Sequence, residues 1–288
     1  MTAIYKRELK SYFHSMIGYL IIAVMIAFTG IYFMAYNLYS GYPYFSYVLS
    51  STAYILIIII PLLTMRCFSE ERKNKTDQLL LCAPVRLSEV VIGKYLAMVT
   101  VIAIPCLVYC VFPLIIKSFG TAYFKVDYVA IGMFFLLGCI YIAIGTFLST
   151  LTESTIIAAV ITFGALMLTF LWDGLTHYLP SSQSGNMIGC VLILTALAAI
   201  LYSLTRNWAL AGGVEVVGVA VIVVLSFVKG EVFESLLPNF FEKLSVVAVF
   251  DQIVTDKTFS LGGLVLYASF IGVFLFLTMQ SIQKRRWS

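Results

Sequence analysis

The residues best placed to do work in this sequence are the charges between Arg66 and Lys94. Arg66, Glu70, Glu71, Arg72, Lys73, Lys75, Asp77, Arg86, Glu89 and Lys94 sit together between long apolar runs. Both signs of charge in one compact segment suit ion pairing and hydrogen bonding across a contact surface, and no side chain there is set up for covalent chemistry. Thr76-Asp77-Gln78-Leu79-Leu80-Leu81-Cys82 reads as a short helix capped near Thr76 or Asp77 and broken by Ala83-Pro84. Ser88 is placed to cap the helix that follows. Leu79, Leu80 and Leu81 on so short an element call for a partner surface or the lipid interface, because apolar side chains facing only water are unfavourable.

The other candidate is Glu215, an acid inside an apolar run just after Gly212-Gly213. An ionisable group at membrane depth must be paired, protonated or facing water, so Glu215 reads either as a pathway residue or as a structural acceptor for neighbouring hydroxyls. Enzymatic chemistry has little to stand on. The two histidines, His14 and His177, fall on opposite sides of the expected topology, and neither H-E-x-x-H nor G-x-S-x-G occurs. Six cysteines at 67, 82, 106, 110, 139 and 190 show no metal or redox spacing and read as packing residues. Pro61, Pro105 and Pro113 interrupt apolar runs and read as kinks.

These groups must be positioned by membrane helices. With 61% hydrophobic and 11% charged residues over 288 positions, the chain lies outside the soluble range, and the expected fold is an all-α polytopic membrane protein forming a single transmembrane domain, 1–288. A bilayer core about 30 Å thick takes roughly 20 helical residues. Eight runs qualify: Met16–Tyr39, Val48–Met65, Tyr95–Ile116, Tyr128–Thr152, Ser154–Trp172, Met187–Thr205, Asn207–Val228 and Thr258–Gln283. Basic residues set the orientation. With both termini in the cytoplasm, thirteen Lys and Arg face inward and five outward (Lys117, Lys125, Lys229, Lys243, Lys257). The basic start followed by a 24-residue apolar run reads as an uncleaved anchor.

Two amphipathic segments flank the spans. In 1–15, Ile4, Tyr5, Leu9, Tyr12 and Phe13 recur at helical spacing while Lys6, Arg7 and Lys10 take the other side, the pattern of a helix lying in the interface. The outer segment 229–257 carries Phe233, Leu236, Leu237, Phe240, Phe241, Leu244, Val247 and Ala248 on one stripe, and reads as an interfacial element or a substrate gate. Tyr36, Tyr39, Tyr42, Tyr44, Phe45 and Tyr47 fit an aromatic belt on the same side.

The stretch from Glu70 to Lys94 resembles the cytoplasmic loop of ABC (ATP-binding cassette) exporter permeases, of general form E-x-x-x-G-T-x-x-x-L-L-x-x-P-[VI]-x-x-x-E-[IVL]-[IVL]-x-G-K, with Lys75 standing where those loops usually carry Gly. Lys6-Arg7-Glu8-Leu9-Lys10-Ser11-Tyr12-Phe13 running into Ile17-Gly18-Tyr19 resembles the family's N-terminal elbow helix and first span. Leu148-Ser149-Thr150-Leu151-Thr152-Glu153-Ser154 is similar to its S-x-L-T-E connection, and Phe276-Leu277-Thr278 through Lys284-Arg285-Arg286-Trp287 to its ending. The likeness is strongest to the gliding-motility (Gld-type) and multidrug-type branch.

This resemblance implies a six-helix exporter core plus two spans, an elbow helix, and a coupling helix near 76–82 that docks on a separate ATPase subunit. It also implies the roles of the loop residues. Leu79 and Leu80 would anchor the contact, Arg72, Lys73, Asp77, Arg86 and Glu89 would set its rim, and Thr76 and Pro84 would bound the helix. Partners would be ABC ATPase subunits, a second permease copy or relative, an optional accessory subunit with an external domain, and the lipid membrane; no nucleic acid is expected. ATP and its magnesium ion would belong to the ATPase, so the chain itself would be a non-catalytic subunit of a bacterial plasma-membrane exporter. The sequence agrees on one point, since it contains no G-x-x-x-x-G-K-[ST] loop and its Gly93-Lys94 is followed by Tyr95. An ion-coupled secondary transporter and an intramembrane lipid-modifying enzyme are the rival readings.

Overall fold

A computed structural model describes residues 2–75, 86–176, 185–189, 191, 194–195, 245–257 and 261–286. Among them there is helix and no strand, as an all-α polytopic membrane protein requires. The elements run α1 (Thr2–His14), α2 (Met16–Phe33) continued by a π-helical turn (Met34–Tyr39), α3 (Ser46–Thr52), α4 (Ile55–Thr64), α5 (Ser69–Lys73), α6 (Leu87–Tyr109), α7 (Phe112–Phe119), α8 (Phe124–Leu151), α9 (Thr155–Thr176), α10 (Val246–Asp256) and α11 (Leu261–Arg286). The chain divides into two compact units, Met1–Phe170 with Val246–Ser288, and Leu171–Ser245.

Five described helices are long and apolar enough to cross a membrane: Met16–Tyr39, Leu87–Phe119, Phe124–Leu151, Thr155–Trp172 and Leu261–Lys284. The bent pair Ser46–Thr52 and Ile55–Lys73 makes a sixth if it is taken as one span. The five match five of the eight expected runs, and the bent pair overlies a further one, Val48–Met65. The other two, Met187–Thr205 and Asn207–Val228, lie almost wholly outside the described residues, as do Glu215 and the helix expected at 76–82.

Span α8 is the centre of its unit. Of its apolar window 72% is buried, against 17% for α11. It packs against α3, α4, α6, α10 and α11, and small residues permit that approach. A Cβ on Gly145 would collide with the Thr64 side chain of α4, and one on Gly138 would touch Ile102 of α6 at 3.4 Å.

The 58° bend between α3 and α4 falls at Ala53-Tyr54, where the backbone ladder tightens to i→i+3 bonds: Ala53 N–H to the Ser50 carbonyl, Leu56 N–H to Ala53 and Ile57 N–H to Tyr54. Just before it, Thr52 Oγ1 donates back to the Val48 and Leu49 carbonyls at 2.9 and 3.2 Å. Pro61 lies within α4 and Pro105 within α6, and Pro113 stands at the start of α7, just after the break that interrupts the Leu87–Phe119 span.

Three local expectations change. Ser88 does not cap α6: the cap position is Arg86, with extended backbone, and Ser88 is already helical. Phe45 is fully buried against Phe112, Phe33 and Tyr109, so it belongs to the core and not to the aromatic belt, where Tyr39 is 93% exposed. The described end of the 229–257 segment is α10, whose Val246 to Phe250, Ile253 and Val254 are buried. Five consecutive apolar residues cover too wide an arc for a helix lying on the interface, and α10 packs on α8 and α3 instead.

Candidate functional site

The charged residues at the base of the 66–94 segment come together with three other elements. Helix α1 turns its apolar side inward: Ile4, Tyr5, Leu9, Tyr12 and Phe13 are half-buried while Lys6, Arg7 and Lys10 are exposed. It is pinned to α6 by a hydrogen bond between the Tyr5 and Thr100 hydroxyls at 3.0 Å, and to α4 by Tyr12 Oη donating to the Leu63 carbonyl at 3.3 Å. The turn into α2 needs Gly18, because a Cβ there would stand 2.7 Å from the Tyr12 carbonyl oxygen. Burial pushes the Tyr12 phenol well above its ordinary pKa, and nearby Cys67 and acids, led by Glu8, reinforce the shift.

Beneath α1 lies Lys94, 2% exposed, in the second turn of α6. Its ammonium donates to Glu71 Oε1 at 2.8 Å, to Glu8 Oε1 at 3.2 Å and to the Cys67 carbonyl at 3.0 Å, and stands 5.3 Å from the centre of the Phe68 ring. All three donors of the ammonium are therefore used. Arg7 closes the cluster from α1, 3.0 Å from Glu8 and 3.4 Å from Glu71. A buried cation is tolerable only when it is paired and fully hydrogen-bonded, and this arrangement meets that condition.

A second anchor ties the same loop base to the end of α8. Ser149 Oγ accepts the Phe68 and Ser69 backbone N–H groups at 3.0 and 3.3 Å. Arg72 donates to the Thr150 carbonyl at 3.0 Å and pairs with Glu153 at 2.8 Å. The loop base is thus clamped to α1, α6 and α8 at once. Helix α5 ends at Lys73 with Asn74 as its cap, and the next residue, Lys75, has a left-handed φ of 56°. That is the conformation glycine adopts without strain, and Lys75 occupies the position where the resembled loops carry Gly.

Of the residues singled out in the loop, Arg72 is part of this clamp, Lys73 ends α5 exposed to solvent, Arg86 is the cap position of α6, and Glu89 sits in its first turn. Thr76, Asp77, Leu79, Leu80 and Pro84 lie outside the described residues. Glu8, Glu71, Lys94, Ser149 and Glu153 form the clamp although sequence reasoning gave them no individual role. One signal was available for Glu8: it lies in line with Ile4 and Tyr12 at i, i+4 spacing, an acid on the apolar side of α1 that needs a partner.

At the opposite end, Asp127 of α8 is fully buried and accepts the Phe45 and Ser46 N–H groups through Oδ1 at 2.9 and 3.1 Å, capping α3 from a neighbouring helix. Ser50 donates to Asp251 of α10 at 2.9 Å. Lys257 lies 3.9 Å from the centre of the Tyr44 ring, which stacks on Tyr123. Cys67, Cys106, Cys110 and Cys139 are free thiols, three of them buried, and no group of His, Cys, Asp or Glu suited to a metal occurs among the described residues.

A family model described as "ABC-2 family transporter protein" matches residues 2–189, a range that includes α1, the 66–94 segment and α8. A search of curated proteins found no match. With a model that covers more than half of the sequence laid over a bundle of membrane-length helices, the chain belongs to the ABC-2 transporter family and is a membrane permease of an ABC transporter.

Proposed function

We propose that this permease works in export, driven by separate ATPase subunits that dock on the 66–94 segment from the cytoplasm. The single observation that carries the reading is the clamp at the base of that segment, where Lys94, Glu71, Glu8, Arg72, Glu153 and Ser149 join it to α1, α6 and α8. Paired and hydrogen-bonded charges at such a junction resist shear, so a displacement applied to the loop moves three elements together and does not dissipate in a soft hinge. Leu79 and Leu80 supply the apolar anchors, Arg72, Lys73, Asp77, Arg86 and Glu89 the charged rim, and Thr76 and Pro84 the limits of the coupling helix.

In this reading both termini are cytoplasmic, the membrane is the bacterial plasma membrane, and two permease copies or relatives enclose the pathway, as in the gliding-motility and multidrug-type systems whose loop this one resembles. An accessory subunit with an external domain would fit the same assembly. ATP and magnesium bind the partner ATPase, and Glu215 faces the pathway or a neighbouring hydroxyl.

The test is a mild-detergent pull-down of the full chain from its native membrane followed by an ATPase assay, with a Leu79→Asp, Leu80→Asp double variant alongside. Co-purification of an ATPase subunit with wild type and its loss with the variant supports the reading. A wild-type protein that comes out alone and shows no nucleotide dependence overturns it.

A further inference from the structure

The geometry points to a binding site for the phosphoethanolamine headgroup of a membrane phospholipid, in the cavity between α1, the α4–α5 turn and the start of α6. The cavity measures about 410 Å³, within the roughly 300–1,000 Å³ of sites that hold small ligands. Its lining carries three cations, Arg7, Arg66 and Lys94, and three acids, Glu8, Glu70 and Glu71. That balance offers little net attraction to an anion and matches a ligand that carries both charges.

The inner wall is already engaged, since Lys94 donates to three acceptors and Arg7 bridges two acids. The rim is different. Arg66 and Glu70 stand 4.0 Å apart at the limit of ion pairing, with side chains 49% and 47% exposed. A guanidinium presents the planar donor fork that phosphate oxygens accept from, and the carboxylate beside it accepts N–H from a primary ammonium. A choline headgroup has no N–H to donate, so the site discriminates between the two common zwitterionic headgroups.

The position selects a lipid over a soluble phosphoethanolamine. Ser15 and Ile17 line the cavity where α1 turns into the first span, and the adjoining Met16, Tyr19 and Leu20 are 87%, 60% and 56% exposed. A headgroup seated on Arg66 and Glu70 places its acyl chains along that apolar strip, at the depth where a membrane protein meets lipid. The site depends only on the chain lying in a membrane and not on the coupling role of the loop.

The experiment reconstitutes the full chain in vesicles of equal parts phosphatidylethanolamine, phosphatidylcholine and phosphatidylglycerol, extracts it gently, and counts retained lipids by native mass spectrometry. Phosphatidylethanolamine should be retained roughly tenfold over the other two, the worth of one charge-assisted hydrogen bond. Arg66→Gln and Glu70→Gln should each abolish the preference with the thermal midpoint unchanged, and Ser11→Trp, which fills the cavity from α1, should do the same. Equal retention of phosphatidylcholine, enrichment of phosphatidylglycerol, or a preference that survives all three variants overturns the proposal. Displacement of the lipid by equimolar soluble glycerophosphoethanolamine overturns the assignment to a membrane lipid.

Discussion

Lys94 Nζ lies 2.8 Å from Glu71 Oε1, so a cation that opens one span is held by an acid from the short helix that follows another. Only 2% of the lysine side chain is exposed, while Glu71 and Glu8 are 19% and 16% exposed, so the cation carries most of the desolvation and the acids repay it.

Lys94→Met leaves those two acids sharing only Arg7, whose side chain is 62% exposed. Stranding a fully buried charge costs about 3–5 kcal/mol, and because the acids left behind are partly exposed and still paired, this variant should cost less, about 2 kcal/mol. Thermal unfolding in detergent should show the loss, and adding Glu71→Gln and Glu8→Gln should recover part of it. Strict additivity of the three changes would falsify the network.

Ser149→Ala should cost about 1–3 kcal/mol, because the Phe68 and Ser69 N–H groups lose a shared buried acceptor. Glu153→Gln, only a few residues away, should cost under about 1 kcal/mol, since Glu153 is 74% exposed in its pair with Arg72. Chemical denaturation of both variants side by side decides the matter, and equal losses would mean that the clamp is not organised around Ser149.

Lys75→Gly should stabilise the protein by about 1 kcal/mol, the cost of holding a side chain at positive φ less the extra freedom glycine brings to the unfolded chain. Lys75→Val, β-branched at the same φ, should destabilise it. A melting series over the three residues tests the order Gly, Lys, Val, and any other order removes the strain assigned to this turn.

Alkaline pH should act through Tyr12. Its phenol titrates higher in the folded protein than in the unfolded chain, so its contribution is fully present below about pH 10, the unfolded value, and is lost as pH rises from there toward the folded value. Tyr12→Phe should flatten that part of the stability profile while losing the bond to the Leu63 carbonyl at every pH. An unchanged slope above pH 10 would show that other groups carry the alkaline loss.

Continuous hydrophobic runs made much of this architecture readable. The expected span Met16–Tyr39 coincides with α2 and its π-helical turn, and the apolar stripe of α1 names the residues that turn inward. Pairings between distant positions were not readable, since nothing local tells Lys94 that Glu8 lies 86 residues away or Ser149 that it will cap a turn 80 residues upstream. Asp127 drew no reading from the sequence, because its partners are backbone N–H groups, which leave no mark there. Phe45 resembled its tyrosine neighbours by composition, and only the packing of Phe33, Tyr109 and Phe112 around it separates them.

Under the proposed coupling, thrust entering along α4 from the loop end would meet α3 at 58°, so the bend beside Thr52 would make this bent pair a crank and not a piston, turning much of the thrust into sideways travel. Asp127 of α8 and Asp251 of α10 both bond to α3, so that travel would be handed on to α8 and α10.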